Sequence, residues 1–260
     1  MTATRTQSST PATSARGDHA VKTARAPVKR AAVKSVAAKA VKTPTASLTL
    51  SSRTYSSWSL RGWLMARFAG LDFAEVMVSP DDADAKQEIL LLSPSIRVPC
   101  LTHGGVTVWD TLAIGEYLNE IAPKAGLLPA DAIARAHCRA VSGEMHSGFA
   151  SLRSALPMNL KNDFPGHKVW TRAEADIERI SAIWRDCIET YGGPFLFGEK
   201  RCLADAMYAP VCTRFQTYHV KLDRVGIQYG QTILGMPEMK EWIAAAKLEP
   251  DDIDELDMDF

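Results

Sequence analysis

The chain has 260 residues, 46% hydrophobic and 23% charged, enough to bury one large domain or two small ones, and this composition excludes global disorder. No run approaches the ~18 consecutive apolar residues that a membrane-spanning helix needs. The formal net charge of zero averages two unlike segments: residues 1–46 hold nine Lys/Arg against Asp18 alone, and residues 47–260 hold 21 basic and 29 acidic side chains.

Residues 1–46 are built from Ala, Thr, Ser, Lys, Arg, Val and Pro, with a Val-Lys pair recurring at 21–22, 28–29, 33–34 and 41–42. No Leu, Ile, Phe, Trp or Tyr precedes Leu48, so the segment cannot bury enough apolar surface to offset its ordering entropy and is expected to be a disordered tail. Three readings of it stand: a solvated basic tail, a tether to nucleic acid or another acidic partner, and an organellar import peptide that is acid-poor but lacks an apolar face.

Folded structure begins at Leu48-Thr49-Leu50, a short alternating strand, followed by a polar turn over 51–56. Trp58–Phe68 has helical periodicity and Gly70 stops it. Phe73–Val78 reads as a strand and Ala85–Leu92 as a short helix, with Pro94 and Pro99 bracketing a loop. Cys100–Leu101 and Val106–Trp109 form a hairpin around His103-Gly104-Gly105, and Thr111–Ile121 is a helix with Leu112, Ile114, Tyr117 and Leu118 inward. This α/β unit spans 47–122. After the Pro123–Pro129 linker the chain becomes helical over 132–247. Ala132–Leu156 and Arg172–Tyr191 are long periodic segments, Gly192-Gly193-Pro194 stops the second, and shorter helices follow near 203–216 and 237–247. An acidic tail closes the chain over 248–260. The expected architecture is a small α/β sheet domain followed by an all-α domain.

Cys100, Cys138, Cys187, Cys202 and Cys212 are odd in number and show no C-x-x-C spacing, which favours a reducing, cytoplasmic setting over a disulfide framework. No His/Cys pair has zinc-ligand spacing, so no metal is expected. Nucleotide-binding, serine-hydrolase and zincin motifs do not occur. Three segments remain as candidates for chemistry. YSSWSLR (55–61) joins a strand to a helix, RVPCL (97–101) joins a loop to a strand, and WDTLAIGEYL (109–118) enters a helix.

Those three segments in that order, with RCLADAMYAP (201–210) in the place of an S/T-x-A-D helix cap, resemble the glutathione transferase superfamily over about 47–247. YSSWSLR and the helix ending Gly70-Leu71-Asp72-Phe73 are closest to serine-type, zeta-like bacterial members. The resemblance implies a thioredoxin-like N-terminal domain, a helical C-terminal domain, a homodimer and a detoxifying transferase. Its co-substrate would be glutathione and its second substrate a small hydrophobic electrophile.

Carried over residue by residue, the resemblance makes Ser56, with Ser57 next, the activator of the glutathione thiol. The chemistry is reasonable: a thiol near pKa 8.5 is only about 3% thiolate at pH 7. A hydroxyl donor at a helix N-terminus favours the anion, and a shift of roughly two units corresponds to about 2.7 kcal/mol. The bland alternative is that these serines only cap the helix. Val98 followed by a cis Pro99 would pair with the cysteinyl unit, Arg97 lies beside them, and Asp110-Thr111 would hold the γ-glutamyl end. Met145, His146 and Phe149 would face the electrophile, and Arg153 one turn on would anchor an anion or lie on the surface. Two departures matter. Trp58 stands where zeta-like members carry cysteine, which bears against their isomerase chemistry, and Cys202 replaces the hydroxyl cap before Asp205.

Overall fold

A computed structural model describes residues 44–78 and 98–249. The basic tail to residue 43, the helix expected at Ala85–Leu92, Pro94, Arg97 and the acidic run beyond Glu249 lie outside the described residues.

Strand β1 (Ala46–Leu50) begins two residues earlier than its apolar alternation suggests, and Ala46, Leu48 and Leu50 all point into the core. Helix α1 (Ser57–Phe68) follows, then β2 (Phe73–Met77), which pairs in parallel with β1. Strands β3 (Cys100–His103) and β4 (Val106–Trp109) form the expected hairpin, and β3 pairs antiparallel with β1. The sheet order is β2-β1-β3-β4, so β1, directly before α1, is interior. Helix α2 (Thr111–Ile121) leaves the sheet edge and packs beside α1.

The sheet and the helical half meet on α1. Leu60, Trp63, Leu64, Met65 and Phe68 are buried, as expected of its apolar face, but so are Ser57, Ser59 and Arg61. A helix enclosed on all but its Arg67 side needs neighbours nearly all round, and α1 has α2, the helices over 203–217 and 237–246, and β2 through the bond from Trp63 Nε1 to Glu75. Gly62 permits one close approach: a Cβ there would lie 2.5 Å from Cγ of Pro99. The corner at Pro99 therefore packs directly on the helix that carries the two serines.

The helical half comprises α3 (Ala132–Ser147), α4 (Ala150–Ala155), α5 (Thr171–Tyr191), α6 (Leu203–Thr217), α7 (Arg224–Gly235) and α8 (Pro237–Ala246). Two features differ from the sequence expectation. The single helix expected over Ala132–Leu156 is two, because Gly148 is extended (φ −102, ψ −170) and Phe149 is left-handed (φ 60, ψ 40). A bulky residue at positive φ is strained, and burial of the Phe149 ring holds it there. Helix α7 was not expected at all. Gly226, Gly230 and Gly235 dilute its helical signal, while the Asp223 cap and the buried Tyr229 and Ile233 make it form.

Asp205, fully buried in the first turn of α6, ties this half together. Its carboxylate accepts from Leu196 N at 3.1 Å, Cys202 N at 2.8 Å and the Tyr229 hydroxyl at 3.1 Å. Burial pushes its carboxyl pKa up, while these donors pull it back. Cys202 thus lacks a strong hydroxyl to offer, and the carboxylate three residues on satisfies its backbone instead. Replacing Asp205 with Ala leaves three buried donors without an acceptor, at about 1–3 kcal/mol each. The expected loss is about 3 kcal/mol or more, read as a lower urea midpoint at unchanged m.

Candidate active site

The polar turn over 51–56 delivers the chain from β1 into α1. Ser56 is the N-cap of α1, in extended conformation (φ −85, ψ 92) and half-buried. Its Oγ accepts from Ser59 N at 3.2 Å and donates to Ser59 Oγ at 2.9 Å. Ser59 Oγ in turn accepts from Ser51 N at 3.0 Å, which ties the end of β1 to the first turn of α1. Ser57, one residue into the helix, is buried and sits differently. Its Oγ accepts from Arg61 Nη1 at 3.3 Å and from Arg214 Nη2 at 3.4 Å. Both acceptor positions of the Ser57 hydroxyl therefore face cations.

Three guanidinium groups converge here. Arg61 is fully buried, donates through Nε to Met207 O at 2.8 Å, and lies 4.7 Å from the Trp58 ring centroid. Arg153 lies 4.9 Å from the same ring and donates to Gly148 O at 3.2 Å and to Met145 O. Arg214 donates to Leu156 O and Arg153 O. Among the described residues these three make no ion pair with a carboxylate, and Nη2 of Arg61 is buried without any partner. Burial, then the charges of Arg153 and Arg214, hold the Arg61 pKa well below the ordinary arginine range. Burial first and Arg153 second lower Arg214 to about 10, still protonated at neutral pH. Burial lowers Arg153 as well.

A chain of contacts links this cluster to the entry of α2. The Trp58 and His146 rings meet edge-on at 5.1 Å. His146 Nε2 lies 3.1 Å from Asp110 Oδ2, and its Nδ1 lies 3.4 Å from Thr111 Oγ1. Asp110 caps α2 by accepting from Leu112 N at 2.8 Å and does so at φ 75, ψ 133, a positive-φ conformation outside the left-handed helical region and strained for a residue with a Cβ. Its side chain remains 41% exposed, so a ligand cation can reach the carboxylate. The Val98–Pro99 peptide is cis and abuts α1 through Gly62.

Of the residues singled out in the sequence, Ser56, Ser57, Asp110, Thr111, His146 and Arg153 thus fall into one contiguous region, with Val98 and Pro99 against the same helix. Met145 and Phe149 pack in the hydrophobic core, whereas His146 reaches the ring of Trp58, the residue that follows Ser57. Arg153 is drawn over Trp58 rather than lying on the surface. Arg61 and Arg214 were not singled out. Their signal is an arginine inside an otherwise apolar helical stretch, WSLRGWLM and MYAPVCTRF, where a buried cation must find electron-rich partners.

The cysteines take no part. All five are buried, and burial pushes Cys187 up to about 12 and Cys202 and Cys212 above the ordinary thiol range. Among the described residues there is no cluster of side chains suited to a metal and no helix long and apolar enough to cross a membrane. At pH 8 a thiol of pKa 12 is thiolate in about one molecule in 10⁴. A chromogenic disulfide should therefore titrate no fast thiol in the native protein at pH 8, and all five cysteines in guanidinium chloride.

Residues 55–121 match the family model of the glutathione S-transferase N-terminal domain. Among curated relatives, a probable maleylacetoacetate isomerase of Caenorhabditis elegans is 28% identical over 140 residues, 54% of this chain and 65% of the relative. The maleylacetoacetate isomerase of Rattus norvegicus is 28% identical over 160 residues, 59% of this chain and 71% of the relative. These matches thus span about two thirds of the relatives' own length. Among solved structures, a glutathione transferase homologue from Burkholderia with bound glutathione superposes with TM-score 0.57 at 24% identity, covering 78% of this chain and 97% of that one. At that identity the likeness is one of fold.

Proposed function

We propose, from the match of residues 55–121 to the glutathione S-transferase N-terminal domain and from the likeness of fold, that the chain acts as a glutathione transferase and activates the glutathione thiol at Ser56 for attack on a small hydrophobic electrophile. The observation that carries this reading is the polarity of the first turn of α1. Two hydroxyls stand at the positive end of an enclosed helix, and the inner one is flanked by two guanidinium groups. Ser56, the half-buried one, is the hydroxyl within a ligand's reach. To donate to a thiolate it exchanges its bond to Ser59 Oγ, which keeps Ser51 N as a donor. Ser57 stays inside, holding Arg61 and Arg214 beneath that turn, where their charge favours an anion above it.

The rest of glutathione follows from the same region. The backbone of Val98, beside the cis proline, suits the extended cysteinyl unit. Asp110 offers its exposed carboxylate to the γ-glutamyl ammonium, and Thr111 with the first N–H groups of α2 suits the γ-glutamyl carboxylate. Arg97 keeps the place the resemblance gives it, next to this segment. Two bound reactants held side by side would gain much of the acceleration from proximity. A homodimer and a cytoplasmic setting go with this reading, and five buried free thiols support a reducing compartment.

Calorimetric titration of glutathione, with the bound thiol followed by thiolate absorbance across pH, tests the proposal. The parent should bind at millimolar glutathione or below. Ser56→Ala should still bind but raise the bound thiol pKa by about two units, and Asp110→Ala should lose affinity. A parent that does not bind at all would leave the fold standing and end the enzymatic reading.

One observation favours a second reading, a glutathione-dependent isomerase. Arg61, Arg153 and Arg214 meet no carboxylate among the described residues, arginine stays protonated in proteins, and a substrate carboxylate over Trp58 would answer that charge. The relatives named maleylacetoacetate isomerase act, by that name, on an acid. Trp58 in place of their cysteine bears against the same chemistry. The two readings part on whether glutathione is consumed or only required. Under the second, Arg153→Met should raise KM for a carboxylate substrate by about 10- to 100-fold, the worth of one charge-assisted hydrogen bond, and leave neutral electrophiles unaffected.

A further inference from the structure

The turn over 51–56 has no regular structure of its own, and what fixes it comes from the other end of the described chain. Glu249, three residues beyond the end of α8, turns its carboxylate onto it. Oε1 accepts from Arg53 N at 2.6 Å, and Oε2 accepts from Thr54 N at 3.0 Å, Thr54 Oγ1 at 2.8 Å and Ser52 Oγ at 3.0 Å. Two successive backbone N–H groups and two hydroxyls thus converge on a single carboxylate, the arrangement in which a backbone nest holds an anion. Neighbouring contacts point the same way. Trp242 Nε1 donates to Arg53 O at 3.0 Å, Thr54 Oγ1 also reaches Ala246 O at 3.2 Å, and Lys161 Nζ donates to Glu249 O at 2.8 Å. Thr54 is fully buried by this closure.

The turn also sets the position of Ser56. Ser56 N donates to Ser52 O at 3.0 Å, and Ser52 Oγ, one of the groups bound to Glu249, accepts from Thr54 N and Tyr55 N at 3.1 and 3.2 Å. A carboxylate at 249 therefore orders Ser52, Arg53 and Thr54 directly and Ser56 through Ser52. We propose that Glu249 is a positioning residue, whose ionised carboxylate holds the turn so that Ser56 meets the glutathione thiol in one orientation; its catalytic consequence rests on the thiol-activation reading above.

Glu249→Ala and Glu249→Gln in the full chain test this by two independent readouts. The first is amide hydrogen exchange across 51–56, which needs no ligand. In Glu249→Ala it should speed up about ten-fold or more, while α6 stays as protected as in the parent. Glu249→Gln, which keeps one good acceptor, should lie between. The second is the pH titration of bound glutathione thiolate. Its pKa should rise by about one unit in Glu249→Ala, with kcat falling about ten-fold at pH 7 and KM for glutathione little changed. Unchanged exchange in the turn would overturn the proposal outright. Faster exchange with an unshifted thiol titration would reduce Glu249 to a structural tie and overturn its positioning role. A parent with no bound-thiol titration would sink the transferase reading instead, and the exchange comparison would still decide whether Glu249 holds the turn.

Discussion

Helix α1 is enclosed on nearly every side, with Arg67 alone exposed, and the rest of the molecule is arranged around that enclosure. A helix that shows one face to solvent can carry its polar residues there. Here Ser57, Ser59 and Arg61 are buried along with Leu60, Trp63 and Leu64, so each polar group has to be met by another element. The end of β1 meets Ser59 through Ser51, the carbonyl of Met207 on α6 meets Arg61, and Arg214 of α6 meets Ser57. The N-terminus of α1 is thereby fixed from both halves of the fold at once. That fixity is what a thiol-activating turn requires, since a donor must wait where charge develops rather than reorganise toward it.

The arginines show a cost accepted at the same place. Three guanidinium groups packed around Trp58 and Ser57 have given up hydration, which is the main reason their pKa values fall, and neighbouring arginine charge lowers Arg61 and Arg214 further. Backbone carbonyls and the face of Trp58 compensate in part. They do not neutralise the charge. Several arginines elsewhere meet carboxylates, as Arg139 does Glu116 and Arg179 does Glu144. Beside the two serines three buried or half-buried guanidinium groups meet none among the described residues, and an uncompensated positive interior favours an anion there, whether thiolate or carboxylate.

Much of this was legible in the sequence because the relevant signals are local. Alternation gave β1, β2 and the hairpin, a 3.6-residue period gave α1, α2 and α5, and the order of elements gave the two-layer division. Ser56, Asp110 and Thr111 came from the family resemblance of their motifs, and each stands where a strand or loop enters a helix. The features that escaped depend on neighbours far along the chain. The break at Gly148 and Phe149 lies within an unbroken helical pattern, and the packing of the Phe149 ring decides it. Helix α7 hides behind three glycines. Arg214 reads as one charge in an apolar helix until α1 supplies its acceptor 157 residues away. Glu249 reads as the first residue of an acidic run, and its role becomes visible only in the closure onto 52–54.

These long-range contacts also explain why neither half could build the site alone. The sheet side contributes the two serines, the Val98–Pro99 corner and the Asp110-Thr111 cap. The helical side contributes His146 against Trp58, the two further arginines and the terminal carboxylate on the turn. The described residues accordingly cluster as one compact unit rather than two. A thioredoxin-like sheet without its helical partner would keep Ser56 as an N-cap and Arg61 on the same helix, but lose Arg153 and Arg214 and the tie from Glu249. The hydroxyl would then be a helix cap and nothing more, which was the bland reading of the same residue. Whether Ser56 caps or activates is therefore decided less by the serine than by what the second half of the chain brings to it.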